Sequence, residues 1–423
     1  MSAASASGLR NYAIVTAAYW GFTLTDGALR MLVLFTFFQL GYSPFTLAFL
    51  FLLYEAAGIG ANFIGGWLAA RFGITRMLMV GLSTQIFGFL LLSAVSPEWG
   101  SALLVVWVVV AQGVCGVAKD LTKTASKSAI KITEAQATGG GDGRLFKWVA
   151  WFTGSKNAMK GVGFFLGGLL LQLVGFRHSL WLMAGVLFLV LLGIVFSLPP
   201  MMGRAKASRS ARELFARSRG INLLAAARVV LFGARDVWFV VGVPVFLYAS
   251  GWTFTMVGAF LALWTIGYGL VQAAAPSVVA RSPDGLSREV PAARWWSLAL
   301  AIVPVLIAIV LALAPPDPTV VLVVGLGVFG VAFAVNSSVH SYLVLAYAGS
   351  EKAAEDVGFY YAANAAGRFI GILASGFLYQ LGGIYACLIG SALMLFVCWI
   401  VTLALPTRSG SRNNSRTASQ PTS

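Results

Sequence analysis

AAYWGFTLTDGALRMLVLFTFF, residues 17–38, is apolar enough to cross a bilayer, yet it contains Asp26 and Arg30. A later apolar stretch, LLAAARVVLFGARDVWFVVGVPVFL, contains Arg235 and Asp236. A charged side chain at bilayer depth costs roughly 2.5–3.5 kcal/mol on insertion scales, so such residues usually face a cavity and serve a function. The two stretches therefore predict a membrane protein with a polar cavity, which is typical of a transporter.

The composition indicates that most of the chain is surrounded by lipid. Hydrophobic residues make up 59% of it and charged residues 10%, whereas a soluble domain has about 25% charged residues. Twelve apolar stretches are long enough to cross a hydrocarbon core of about 30 Å. We predict spans at Asn11–Phe38, Pro44–Ala70, Met77–Val95, Ala102–Thr124, Phe146–Val174, Leu180–Leu198, Ile221–Tyr248, Phe254–Ala280, Trp295–Ala314, Val320–Tyr347, Gly358–Leu381 and Ile384–Leu405.

The net charge of +15 is concentrated in alternate loops. This distribution follows the positive-inside rule and argues against a nucleic-acid partner. It places both termini and a basic central loop in the cytoplasm of a multi-pass protein. The predicted organisation is an N-terminal six-helix half at 1–198, the central loop at 199–220, a C-terminal six-helix half at 221–405 and a disordered basic tail at 406–423.

The two halves resemble each other in sequence. Asp26 matches Asp236 at an offset of 210 residues, and Gly41 matches Gly251 at the same offset. Later in each half the offset is 208. There Lys160, Gly163, Gly168, Gln172, Leu173 and Gly175 fall on Arg368, Gly371, Gly376, Gln380, Leu381 and Gly383. Two repeated halves of this kind predict the all-α major facilitator layout, with a substrate site near midplane between them.

Lysines follow one another at four-residue spacing in two places. Lys119 and Lys123 begin one such series, which continues into the cytoplasm, and Lys156 and Lys160 form a pair on one helix face. These lysines form an anion path or site, or they pair with acids and extend to the membrane surface. Lys160 is the stronger candidate for the cavity because its repeat partner, Arg368, is also basic.

The arginines predict recognition of a phosphate-like group. Arg228 and Arg235 share one helix face, and Arg30 belongs to the other half. A guanidinium donates two parallel hydrogen bonds to such an anion. The alternative is internal ion pairing, Asp26 with Arg30 at spacing four and Asp236 with a base on a neighbouring turn or helix.

Three acids at membrane depth are candidates for proton coupling, because a carboxyl in a cavity of low dielectric constant can exchange protons near neutral pH. They are Asp26, Glu55 and Asp236. Permanent ion pairing is the alternative for Asp26 and Asp236, whereas Glu55 has no obvious partner nearby in the sequence. No cofactor site, metal-ligand spacing or nucleophile–base set is evident, so we expect a protein that is not an enzyme.

Several long segments resemble the ArsJ-type organoarsenical efflux permeases of the major facilitator superfamily. They are RNYAIVTAAYWGFTLTDGALRMLVLF, GVAKDLTKTASKSAIKI, FKWVAWFTGSKNAMKGVGFFLGG, FGARDVWFVVGVPVFL, LWTIGYGLVQ and VGFYYAANAAGR. The resemblance implies export of 1-arseno-3-phosphoglycerate across the bacterial inner membrane. Glyceraldehyde-3-phosphate dehydrogenase forms this compound when arsenate replaces phosphate, so the pair would confer arsenate resistance. Superfamily members usually work as monomers.

Two other functions remain open from the sequence. An organophosphate or other organic-anion antiporter would have much the same basic cavity. A membrane sensor without transport activity would need an added soluble domain, and the predicted central loop is short for one. The resemblance assigns no role to any single residue, so the substrate-binding bases and proton-coupling acids are predictions from charge and depth.

Overall fold

The computed structural model describes residues 3–96, 98–136, 142–199, 218–278, 282, 285–347 and 353–407. Every regular element among these residues is a helix. The helices are α1 (Ala3–Gln39), α2 (Pro44–Leu50), α3 (Leu52–Phe72), α4 (Ile74–Ser93), α5 (Ser101–Gln136), α6 (Asp142–Ser197), α7 (Arg219–Phe239), α8 (Gly242–Ala249), α9 (Phe254–Val278), α10 (Glu289–Ala312), α11 (Pro318–Tyr347) and α12 (Ala353–Leu403). The predicted basic loop and tail lie almost wholly outside the described residues.

Nine helical stretches in the described chain are long and apolar enough to cross a membrane. Two of them, Ser155–Ser197 within α6 and Phe359–Leu403 within α12, are long enough for two spans each. With 56 residues and a rise of 1.5 Å per residue, a straight α6 would far exceed a hydrocarbon core of about 30 Å. It turns instead at Gly175, and α12 turns at Gly382 and Gly383. The structure is a multi-pass helical bundle, and the count of twelve spans remains a prediction.

The sequence repeat is also a repeat of turns. Gly41 and Gly251 both adopt positive φ, 83° and 92°, a conformation that glycine tolerates at no steric cost. Each glycine is followed by an aromatic residue whose backbone N–H bonds a carbonyl five residues earlier, at 3.1 Å in both halves. The two turns therefore link equivalent helices in the two halves. We call the end of the bundle that carries them the distal end.

Within each half, a close helix pair is built on a repeated glycine. Gly163 on α6 packs against the Leu24 carbonyl of α1, and Gly371 on α12 packs against the Gly233 carbonyl of α7. Neither position leaves room for a Cβ atom. This close backbone approach, which small residues permit in membrane helices, brings α6 and α12 to the centre of the molecule.

The opposite end of the bundle, which we call the terminal end, carries the last residues of the described chain. There the Tyr347 hydroxyl donates to the Pro406 carbonyl at 2.5 Å, and Arg294 donates to the carbonyls of Leu403 and Leu405. Between the two ends, α6 packs against α9, and α12 packs against α2 and α3. These contacts join the N-terminal half to the C-terminal half.

Candidate functional site

A polar cavity of about 60 Å³ lies between the two halves, lined by α1, α3, α5, α6 and α12. Its charged lining residues are Asp26, Glu55, Lys119, Asp120, Lys123, Lys156, Lys160 and Arg368. Lys123 and Lys156 lie one helical turn closer to the terminal end than Lys119 and Lys160, because α5 runs toward that end and α6 runs away from it. The cavity therefore extends from the middle of the bundle toward the terminal end.

Glu55 is the centre of the charge network. Its Oε1 atom accepts hydrogen bonds from Arg30 of α1 and, at 2.8 Å, from Arg368 of α12. Its Oε2 atom lies 3.7 Å from the Lys119 ammonium of α5. The side chain is 2% exposed. Sequence reasoning found no partner for Glu55 because all three bases come from other helices, and one of them comes from the other half.

Asp236 is the second carboxylate that meets more than one base. Its Oδ1 atom lies 2.5 Å from Nη2 of Arg235, and its Oδ2 atom accepts from Nε of Arg368 at 3.3 Å. Arg368 therefore contacts Asp236 of its own half and Glu55 of the other. The expected pairing of Asp236 with a neighbouring base is observed. Arg235 is held by Asp236 and is not among the residues that line the cavity.

Asp26 does not have the partner that its spacing in the sequence suggested. The alternative considered above joined it to Arg30 at spacing four, but Arg30 pairs with Glu55 instead. Asp26 accepts a hydrogen bond from the Tyr54 hydroxyl. The guanidinium of Arg30 lies 5.0 Å from the centroid of the Tyr54 ring. Sequence reasoning did not identify Tyr54 as a site residue, although its position next to Glu55 and its repeat match with Trp264 were signals for it.

The four predicted lysines all line the cavity, but their partners differ. Lys119 lies near Glu55 and 4.0 Å from Asp120, and Lys123 lies 3.4 Å from Asp120. Lys156 and Lys160 have no carboxylate within ion-pair distance among the described side chains. Their ammonium groups are the least neutralised positive charges in the cavity. Asp120 was not among the acids identified from the sequence, so its role as the partner of these lysines was missed.

Arg228 is buried apart from the cavity. It donates to the carbonyl and hydroxyl oxygens of Ser337 on α11 at 3.3 and 3.0 Å. Its guanidinium lies 3.9 Å from the Phe232 ring centroid and 4.7 Å from that of Tyr360. The structure therefore places Arg228 within the packing of the C-terminal half, and its role in substrate binding stays a prediction.

Bases outnumber acids around the cavity. Among the lining residues the bases are Lys119, Lys123, Lys156, Lys160 and Arg368, and the acids are Asp26, Glu55 and Asp120. Five positive and three negative formal charges leave an excess of two positive charges. Because charges removed from water are costly without compensation, the arrangement favours an anionic ligand with more than one charge.

Solved structures resemble this protein over nearly its whole length, and two of them are transporters. One is a crystal structure of a mutant of the nucleoside transporter NupG, with a TM-score of 0.71 and 16% identity over 94% of this chain and 99% of that one. The other is a bacterial homologue of the iron transporter ferroportin in an inward-facing state, with a TM-score of 0.69 and 16% identity over 95% and 99%. No protein-family model and no curated protein matches the chain. The chain has the all-helical major facilitator fold predicted from its repeat.

Proposed function

We propose that this protein is a secondary active transporter that exports 1-arseno-3-phosphoglycerate from the cytoplasm in exchange for protons. With glyceraldehyde-3-phosphate dehydrogenase as the source of the substrate, it would confer arsenate resistance. The observation that carries the proposal is the excess of two positive formal charges among the residues that line a cavity between the halves of a transporter fold. The substrate's arsenate and phosphate groups supply complementary negative charge.

The bases form two groups that suit a substrate with two anionic ends. Arg30, Lys119 and Arg368 surround Glu55, and Lys156 and Lys160 lie on α6 at the side of the same cavity. The cavity volume of about 60 Å³ is far below the roughly 300–1,000 Å³ of typical small-molecule sites. Substrate entry therefore requires the two halves to move apart.

Proton exchange is proposed through Glu55, with Asp26 and Asp236 as further candidates. A proton on Glu55 would remove the charge that holds Arg368 of the opposite half. The link between the halves would weaken, because the Coulombic attraction between the carboxylate and the guanidinium would be lost. We expect an uncoupler that collapses the proton gradient to stop export from intact cells.

The direct test is the arsenate resistance of a sensitive bacterium that expresses this chain with or without the dehydrogenase. Resistance should require both proteins. A Lys156→Gln variant should lose it, and Arg288→Gln should retain it, because Arg288 is exposed and lies outside the cavity. Membrane abundance is measured for each variant. Resistance that is independent of the dehydrogenase would contradict the proposed substrate.

An organophosphate antiporter is the second candidate, because the same bases would bind a phosphoester. Everted membrane vesicles separate the two functions. Arsenate-dependent accumulation only when the dehydrogenase and glyceraldehyde 3-phosphate are supplied supports export of the arsenate adduct. Exchange of external phosphoester for internal phosphate, without arsenate, would support the antiporter.

A further inference from the structure

Three bases share a single carboxylate at the junction of the two halves. Glu55 meets Arg30, Lys119 and Arg368, which come from three different helices. Arg368 has a second carboxylate, Asp236 at 3.3 Å, and Lys119 lies 4.0 Å from Asp120. Arg30 has no other carboxylate within ion-pair distance among the described side chains, so Glu55 supplies one negative charge at the point where the three bases meet. A group with a charge near −2 and three acceptor oxygens, as in a phosphate ester at pH 7, would neutralise this set more completely than Glu55 does.

The hydrogen bonding of Arg30 points in the same direction. Arg30 is 5% exposed, and among the described residues its Nε atom has no hydrogen-bond acceptor. A buried donor without an acceptor costs free energy. Two parallel N–H donors of a guanidinium match two oxygens of a phosphate group, so a phosphate-like ligand could use the donor that Glu55 leaves unsatisfied.

We propose that Glu55 is a built-in substitute for one anionic end of the substrate, an inference that rests on the proposed transport of an organic anion. In the substrate-free protein Glu55 occupies the basic triad, which we define as Arg30, Lys119 and Arg368. The phosphate-type group of the substrate displaces the Glu55 carboxylate and takes its place. Glu55 thereby selects for dianionic groups, because a monoanion offers the triad no more charge than Glu55 already supplies.

The inference predicts that removing the negative charge of Glu55 strengthens anion binding. Purified Glu55→Gln should bind radiolabelled 3-phosphoglycerate about tenfold more tightly than the wild-type chain, because a competing charge-assisted contact is lost. Binding of glycerate, which lacks the phosphate, should change much less. The matched control is Glu289→Gln, which neutralises a buried carboxylate bonded to Ser282 and remote from the cavity.

Equal or weaker binding of 3-phosphoglycerate by a monodisperse Glu55→Gln variant would overturn the inference. An equal gain for glycerate would do the same. A measurement on the wild-type chain covers the case in which the variant does not fold. Saturating 3-phosphoglycerate should increase the reaction of Glu55 with a hydrophobic carbodiimide at least twofold, read by peptide mass spectrometry, because displacement frees the carboxyl group. Protection of Glu55 would contradict displacement.

These outcomes are independent of arsenic chemistry. A wild-type chain that confers no arsenate resistance, combined with a Glu55→Gln variant that binds 3-phosphoglycerate more tightly, would refute the proposed substrate and retain the role of Glu55. A chain that confers resistance but shows no gain in the variant would retain the proposed function and refute that role.

Discussion

The contacts that join the halves at the distal end are copies of each other, whereas the cavity that the halves enclose is not. Gly168 of α6 packs directly against the Phe254 carbonyl of α9, and Gly376 of α12 packs against the Pro44 carbonyl of α2. The glycines are repeat partners at offset 208, and the carbonyls are partners at offset 210. Both halves therefore use the same backbone contact to meet the other half.

The repeated glutamines extend this match by one helical turn. Gln172 accepts a hydrogen bond from Thr255 at 2.7 Å. Its partner Gln380 accepts from the backbone N–H of Phe45 at 3.3 Å. In each contact, a glycine and a glutamine of one helix pack against the start of another helix. We call the two contacts the distal seams. They occupy equivalent positions on either side of the cavity.

The cavity departs from the repeat at the positions that carry charge. Arg368 bonds two carboxylates, yet its repeat partner Lys160 has no carboxylate within ion-pair distance among the described side chains. Asp236 is held by Arg235 and Arg368, yet its partner Asp26 accepts from Tyr54. Equivalent positions of the repeat therefore carry charged side chains in both halves, but these side chains have different partners.

This difference fits the separate demands on the two regions. At the distal end the two halves meet at two places that the repeat relates to each other. Equivalent contacts at both places therefore suit the closing of this end. The proposed ligand, which has two different anionic ends, has no such symmetry. The wall that would contact it can therefore differ between the halves, with Arg368 bonded to two carboxylates on one side and Lys160 without an ion pair among the described side chains on the other.

The largest expected effect comes from replacing Arg368, or its repeat partner Lys160, with a neutral side chain. Arg368→Gln should abolish transport and also lower the melting temperature, because Glu55 and Asp236 both lose a charged partner. Lys160→Gln should reduce transport at least about tenfold with little change in melting temperature, because Lys160 has no ion pair to lose among the side chains that the structure describes. Vesicle transport and thermal unfolding of the purified variants measure the two effects.

Arg294→Gln is the control for loss of an interhelical arginine, since the hydrogen-bond partners of Arg294 among the described residues are backbone carbonyls at the terminal end. It should retain transport. Equal losses of stability in Arg368→Gln and Lys160→Gln would contradict the asymmetry of the cavity.

The second prediction tests whether the distal seams are equivalent. Gly168→Ala and Gly376→Ala should each reduce transport about tenfold, because an added Cβ would collide with a backbone carbonyl that cannot move aside alone. The two losses should agree within about threefold, since the contacts are copies. Each variant should also make a cysteine introduced at Thr46, which is half-buried in the first turn of α2, more accessible to a thiol reagent, because the distal end would close less completely.

Gly267→Ala is the matched control, because a Cβ at this helical glycine of α9 meets no atom within 4 Å. It should behave like the wild-type chain. A severe defect at one seam glycine with none at the other would show that the seams are not equivalent.

The sequence predicted the repeat-related positions of charged residues better than it predicted which of these residues form ion pairs. Asp26 and Asp236 were identified as repeat partners, and the structure places Asp26 in the cavity lining and Asp236 in contact with Arg368, which lines it. The pairing of Glu55 with Arg30, Lys119 and Arg368 could not be predicted, because it depends on the relative rotation of four helices that are distant in sequence. Spacing along α1 favoured a pair between Asp26 and Arg30. In the structure, Glu55 of α3 forms the ion pair with Arg30 instead.

The smallest predicted effect concerns the seam glutamines. Gln172→Leu and Gln380→Leu each remove a hydrogen bond at an exposed position, and a hydrogen bond typically contributes about 0.5–1.5 kcal/mol net. Each variant should slow transport by only about threefold, and the Gln172 change should have the larger effect because its bond is shorter. The double variant should lose the product of the two factors, since the seams share no atoms and distant changes are additive. A double loss much greater than that product would mean that the two seams close as one cooperative unit. Vesicle transport rates for the four chains of this cycle decide between independent and cooperative closure.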